Sequence, residues 1–136
     1  MEITVLSAYE TSAKEFFEGI QKAKADVVVD VRLHNTNQLA GFTKEGDLAY
    51  FIPAILKIPY IHDTRFAPSD NLLSTYLQGG LSFEGYGKNY RHELEMKNGK
   101  NLFLSAYPYA SVVIIGATTR KRHSHAEVLK QYLEEK

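Results

Sequence analysis

Residues 27–32 read Val27-Val28-Val29-Asp30-Val31-Arg32, a β-branched run that carries two opposite charges at its end. A continuous apolar run of this kind is typical of a strand that is buried on both faces of a parallel sheet. Burying either charge without a partner would be costly, so we expect Asp30 and Arg32 at the carboxyl edge of that strand. Ligands of open α/β sheets bind at this edge, and the sequence therefore predicts a site there.

The residues before this run predict a parallel β-α-β unit. Ile3 to Leu6 is a short apolar strand, and Ser12-Ala13-Lys14-Glu15 has the spacing of a capping box that begins a helix. We expect this helix to end near Lys24. A strand, a helix and a second strand in this order require parallel pairing with a right-handed crossover.

Two more strands and several helices are expected further along the chain. The strands are Pro59 to His62 and Ser111 to Ala117. Helices are predicted from the capping residues Thr43, Ser69, Ser82 and Ser124 and over the apolar segment 101–107, with a kink or break at Pro53. The predicted class is α/β: a single three-layer α/β/α domain over residues 1–136, with a mostly parallel, Rossmann-like sheet.

Composition narrows the classes of function. The chain has 136 residues, of which 44% are hydrophobic, enough for one ordinary core. Its 16 basic and 16 acidic side chains balance, so the net charge of the chain does not favour binding of a polyanion or of an acidic membrane. The absence of cysteine excludes thiolate nucleophiles, disulfides and thiolate metal sites. No apolar run approaches the roughly 20 residues that cross a bilayer, so we expect a cytoplasmic protein with no membrane partner and no cofactor.

Three polar loops are expected to meet at the carboxyl edge of the sheet: 32–42, 62–68 and 118–125. They carry Arg32, His34, Asn35, Asn37, His62, Asp63, Arg65, Arg120, Arg122, His123 and His125. The basic segment at 120–122 precedes the last helix, whose free N–H groups and dipole favour an anion at Ser124. The predicted ligand-binding residues are Arg32, His34, Asn35, Arg65, Arg120, Arg122 and Ser124. A solvated basic turn is the alternative.

Several of these residues also have a purely structural interpretation. Asp30 and Arg32 are two positions apart, so their side chains share a face and can form a buried ion pair. Arg32 can instead hold an anion through two hydrogen bonds. Helix capping explains Ser124 without nucleophilic chemistry.

Histidines supply the candidates for catalysis and for metal binding. His62 and His125 are candidate acid–base groups because the reference pKa of histidine lies near neutrality. His62, Asp63, His123 and His125 could hold a metal, although a paired motif such as H-E-x-x-H is absent. Each histidine alone is more often a hydrogen-bonded structural residue.

One helix carries an aromatic stripe. Phe83, Tyr86 and Tyr90 fall at i, i+3 and i+7, which places them on one helical face. Core packing, with the tyrosine hydroxyls reaching the rim, is the expected role. The alternative is a wall on which a base or sugar stacks.

Taken together, these residues resemble the prokaryotic family named domain of unknown function 488. The matching segments are Val29-Asp30-Val31-Arg32, Gly41-Phe42-Thr43-Lys44, Leu48-Ala49-Tyr50-Phe51, Ile58-Pro59-Tyr60-Ile61-His62-Asp63 with Ala67-Pro68, and the final strand, loop and helix. The resemblance covers nearly the whole chain. It implies a compact three-layer α/β domain with a mostly parallel sheet, and it implies no settled activity.

The chain departs from this family's usual ending. There a Cys or Gly closes the last strand, a Glu follows, and a Cys-His-Arg triplet opens the final helix. Here Gly116, Thr118 and Ser124-His125-Ala126 stand at the corresponding places. A thiol-dependent or arginine-dependent activity of relatives is therefore expected to be absent or altered.

Three hypotheses of function follow. The first is binding of a small anionic ligand, a phosphate-bearing nucleotide or a nucleic-acid end, at the carboxyl edge of the sheet. The second is a non-catalytic protein-interaction domain that keeps the family scaffold with a degenerate site. The third is a metal-dependent hydrolase that uses His62, Asp63, His123 and His125.

Overall fold

Four parallel strands form the central sheet of the computed structural model, which describes residues 1–36 and 38–135, and only the backbone of residues 38–40. The strands are β1 (Glu2–Ser7), β2 (Val27–Asp30), β3 (Tyr60–His62) and β4 (Ser111–Gly116). Their spatial order is β1-β4-β2-β3, so the last strand in sequence lies between the first two. The parallel sheet expected from residues 27–32 is confirmed.

Six α-helices cover the two faces of this sheet. They are α1 (Ala13–Lys22), α2 (Glu45–Phe51), α3 (Asp70–Leu77), α4 (Phe83–Met96), α5 (Gly99–Ala106) and α6 (His125–Glu134). The first two pack on one face and the other four on the opposite face, so the predicted three-layer α/β/α architecture is confirmed.

Alternation along the buried strands explains the two cores. Val28 and Val113 point to the face that α1 and α2 cover, whereas Val27, Val29 and Val112 point to the face of the other four helices. All five side chains are fully buried. A sheet buried on both faces needs apolar residues at successive positions, and the valine run meets this requirement.

Serine caps begin four of the helices as predicted, and the segment 101–107, predicted as a helix, is helical as far as Ala106. The prediction that Thr43 caps the second helix is wrong. The helix begins after Lys44, and the buried Thr43 hydroxyl instead donates to the Ala8 carbonyl at 2.8 Å. Pro53 lies in a π-helical turn, Ile52–Leu56, that continues from the end of α2.

The last helix begins close to the end of β4, and a glycine makes this approach possible. A Cβ atom on Gly116 would lie 2.5 Å from the Ala126 Cβ and 2.6 Å from the Ser124 Oγ. The chain leaves β2 toward α2 on one face and leaves β4 toward α6 on the other. Adjacent strands whose connections depart to opposite faces leave a crevice at their carboxyl ends.

Candidate functional site

A cleft of about 430 Å³ lies at the carboxyl edge of the sheet, between the loops that follow β2 and β4. Its polar lining includes Arg32, Arg122, His123, Ser124 and His125. Its apolar lining includes Leu33, Leu73, Tyr76, Leu77 and Tyr86. Among the described residues, no Asp or Glu lines the cleft, although the whole chain has no net charge.

A buried ion pair lies beneath the polar side. Arg32 donates from Nε to Asp30 Oδ1 at 2.8 Å and from Nη2 to Asp30 Oδ2 at 2.6 Å. Tyr60 and Asn35 also donate to Asp30 Oδ2, at 2.5 and 3.1 Å. Burial alone would raise the pKa of Asp30, but Arg32 and these two donors together lower it. Asp30 is therefore a carboxylate that holds Arg32 in place.

One nitrogen of the Arg32 guanidinium makes no hydrogen bond with the described residues. The residue is only 2% exposed, and its Nη2 also donates to the Thr43 carbonyl at 2.6 Å. Its Nη1 is buried and has no hydrogen-bond partner in the described part of the chain. Burial would lower the pKa of Arg32, but Asp30 raises it, so the guanidinium stays charged. A charged donor without a partner at the wall of a cleft is suited to an incoming acceptor.

His125, the first residue of α6, is fixed in one neutral form. Its Nε2 lies 2.6 Å from the Val31 carbonyl, which can only accept, so Nε2 carries the proton. Burial lowers its pKa to about 4, against the smaller opposing effects of the Val31 carbonyl and the Asp30 charge. At neutral pH, His125 therefore adds no positive charge to the cleft, and its Nδ1 carries a lone pair.

The loop before α6 carries Arg120 and Arg122, and only Arg122 lines the cleft. Residues 119 and 122 bond to each other in a tight turn, with Thr119 N donating to the Arg122 carbonyl at 2.8 Å. Arg122 lines the cleft, and its side chain forms no ion pair within the described chain. Arg120 is 91% exposed, lies outside the cleft and pairs with Glu10, Nε to Oε2 at 3.4 Å.

Short polar contacts hold the rim of the cleft. The Ser124 Oγ accepts from Ala126 N at 3.3 Å, so Ser124 caps α6. Glu127 stands three positions after Ser124, the spacing of a capping box. It does not close this box, because it accepts from the Thr118 hydroxyl and lies 3.0 Å from His123 Nδ1. This network ties the loop after β4 to the first turn of α6.

A second aspartate–arginine pair follows the neighbouring strand. Arg65 donates from Nε to Asp63 Oδ1 at 2.9 Å and from Nη2 to Oδ2 at 2.8 Å, and the Tyr107 hydroxyl also donates to this carboxylate. Burial would raise the pKa of Asp63, but these donors lower it. The pair repeats the geometry of Asp30 and Arg32, but it does not line the cleft.

The structure brings together only part of the predicted site. The cleft contains Arg32, His34, Arg122, His123, Ser124 and His125. It does not contain Asn35, His62, Asp63, Arg65 or Arg120. Asn37 lies outside the described residues.

The excluded residues make other contacts. Asn35 donates to Asp30, and His62 Nε2 donates to the Arg32 carbonyl at 2.7 Å. The His62 Nδ1 lies 3.7 Å from Glu45 Oε2. These side chains support the residues beneath the cleft rather than its surface.

The four candidate metal ligands are not gathered at one point. His123 and His125 line the cleft, whereas His62 and Asp63 do not. Within residues 1–36 and 38–135, no three His, Asp or Glu side chains are grouped so that they could hold a metal ion. The same residues include no helix that combines the length and the apolar character needed to span a membrane.

Sequence reasoning did not predict Leu73, Tyr76 and Leu77 as the apolar side of the cleft, and it named Tyr86 there only as the alternative to core packing. Tyr86 is 1% exposed and lines the cleft, and its buried hydroxyl has no hydrogen-bond partner among the described residues. Tyr76 stacks on Tyr86 with ring centroids 4.0 Å apart and planes 6° from parallel. The helical spacing of Leu73, Tyr76 and Leu77 signals a buried face, but it does not reveal that the face borders a cleft.

Together these features define a Rossmann-like α/β domain with a cleft where the connections of β2 and β4 diverge. The chain belongs to the family described as Domain of unknown function DUF488, whose model matches residues 12–133. No curated protein and no solved structure matches the chain.

Proposed function

We propose that this cleft binds an anionic ligand, namely a phosphate-bearing nucleotide or the end of a nucleic acid. The observation that carries the proposal is that Arg32, which lines the cleft, has a buried Nη1 with no hydrogen-bond partner among the described residues. A buried donor left unsatisfied costs about 1–3 kcal/mol, and more when it is charged. A phosphate oxygen that accepts a hydrogen bond from Nη1 would remove this cost, since hydrogen bonds between a guanidinium and a phosphate oxygen are among the strong ones.

Two further features favour an anion at the same place. The first turn of α6, a helix of ten residues, begins at the cleft and directs the positive end of its dipole there. Arg122 adds an exposed charge at the rim and forms no ion pair with an acidic side chain in the described chain. Because Asp30 offsets the charge of Arg32, Arg122 and the helix dipole supply most of the net attraction.

The proposal is tested by binding measurements on a matched pair of arginine variants. Arg122→Ala and Arg120→Ala each remove one positive charge from the same exposed loop, but only Arg122 lines the cleft. We expect Arg122→Ala to weaken binding of a nucleoside monophosphate by up to about fivefold, since an exposed ion pair is worth at most about 1 kcal/mol. Arg120→Ala should leave the affinity unchanged, and added salt should weaken binding in both.

Calorimetric titration and thermal shift with nucleotides, phosphate esters and short oligonucleotides provide the readout. A ligand that binds only the native state raises the melting temperature. Equal losses in the two variants would show that binding depends on overall charge rather than on the cleft. Failure of every phosphate compound to bind would overturn the proposal and favour the alternative, a protein-interaction domain.

A further inference from the structure

The buried Tyr86 hydroxyl forms no hydrogen bond with the described residues of the fold. Within the described part of the chain, two buried side-chain polar atoms have no hydrogen-bond partner: the Tyr86 hydroxyl and Arg32 Nη1. The two residues come from different layers of the structure, since Arg32 follows β2 and Tyr86 lies in α4. Both line the same cleft. Unpaired buried polar atoms are rare in native proteins, so two at one cleft indicate a missing occupant.

The hydroxyl groups of other buried tyrosines do find hydrogen-bond acceptors within the protein. The Tyr90 hydroxyl donates to the Phe66 carbonyl at 2.5 Å, and the Tyr76 hydroxyl donates to the His123 carbonyl at 2.9 Å. The Tyr107 hydroxyl donates to Asp63. A phenylalanine at position 86 would fill the same space without burying a hydroxyl. Burial of the unpaired Tyr86 hydroxyl therefore lowers the stability of the fold, and the packing of the core does not require it.

The surroundings of Tyr86 are suited to a planar ring. Tyr86 is stacked on Tyr76, and both lie on the apolar side of the cleft with Leu73 and Leu77. Leu77 is 46% exposed, so this surface is not closed by the protein itself. Ring systems pack well on aromatic and leucine side chains, whereas a free phosphate gains nothing from them. A cleft of about 430 Å³ is the size of a small-molecule site.

We propose that Tyr86 is a specificity-determining residue whose hydroxyl bonds to the polar edge of a nucleobase, while the phosphate of the same ligand is held at Arg32. This inference rests on the proposed function and narrows its ligand to a nucleoside monophosphate. Leu73 and Leu77 contact the face of the base. A ring without a polar edge lacks the Tyr86 bond, and inorganic phosphate lacks the ring contact as well.

Three probes and two variants test the inference. The probes are the set of nucleoside 5′-monophosphates, phenyl phosphate, which has a ring without a hydrogen-bonding edge, and inorganic phosphate. The variants are Tyr86→Phe and the control Tyr107→Phe, which removes a buried hydroxyl outside the cleft. We expect the wild type to bind at least one nucleoside monophosphate about tenfold more tightly than phenyl phosphate, and phenyl phosphate more tightly than inorganic phosphate.

Tyr86→Phe should remove the preference for the nucleoside monophosphate and leave the affinity for phenyl phosphate unchanged. Its melting temperature should equal or exceed that of the wild type, because the hydroxyl has no partner to lose among the described residues. Tyr107→Phe should keep the preference and lower the melting temperature, because a buried carboxylate loses a donor.

Retention of the preference in Tyr86→Phe, or its absence in the wild type, would overturn this inference while phosphate binding persisted. Binding of no probe at all would overturn the proposed function itself.

Discussion

Acidification is expected to weaken the fold through His125, the residue that joins the start of α6 to the end of β2. Burial holds the pKa of this imidazole at about 4, below its ordinary value of 6.5. Between these two pH values the unfolded chain takes up a proton that the folded chain does not. The contribution of His125 to the free energy of unfolding therefore falls as the pH drops from about 6.5 to about 4, and this contribution does not change above neutrality. Each tenfold difference in proton affinity is worth about 1.4 kcal/mol, so the full loss is about 3 kcal/mol.

Urea unfolding between about pH 7 and pH 4 measures this effect. His125→Gln keeps an N–H donor for the Val31 carbonyl but does not titrate, so its stability should depend less on pH in this range. The matched control is His92→Gln, which removes an exposed histidine from α4 and should retain the wild-type dependence. If the wild type and His125→Gln lose stability equally between about pH 6.5 and pH 4, His125 is not held neutral by burial and the reasoning is wrong.

Two substitutions test the supports of the cleft. Asp30→Asn should cost about 3–5 kcal/mol in urea unfolding, since it leaves the charge of Arg32 buried and uncompensated; a cost near zero would contradict the importance of this pair. Gly116→Ala should cost about 1–3 kcal/mol and weaken ligand binding, because the new Cβ collides with Ser124 at the start of α6. Its control, Gly46→Ala, has open space and should stabilise the protein by about 0.5–1 kcal/mol. Equal stability of the two alanine variants would refute the steric argument.

The fold could be predicted because its signals are local. The valine run at 27–29 specifies a strand buried on both faces, and serines at positions such as Ser69 and Ser82 supply the first hydrogen bonds of helices. Thr43 shows the limit of this reasoning. Its hydroxyl donates a hydrogen bond to the carbonyl of Ala8, which is far away in sequence, and the helix begins after Lys44 instead. A tertiary contact of this kind leaves no local signature.

The site could be predicted only as a region. The carboxyl edge follows from the parallel sheet, and Arg32 follows from its place after a buried strand. The sequence does not predict which arginine of the loop before α6 lines the cleft. Arg120 and Arg122 have the same local chemistry, but Glu10 near the amino end of the chain holds one away from the cleft. That the Tyr86 hydroxyl has no hydrogen-bond partner within the described part of the chain is likewise a property of the packed structure, not of its spacing along a helix.

The position of β4 determines when the sheet can form. Residues 111–116 pair with β1 on one side and with β2 on the other, so these two early strands do not contact each other in the sheet. On a ribosome, both would be synthesised well before the strand that joins them. Until then, their unpaired edges would remain open to pairing with other chains. Such distant pairing is slow to form, so we expect the chain to complete its folding only after synthesis has passed the last strand.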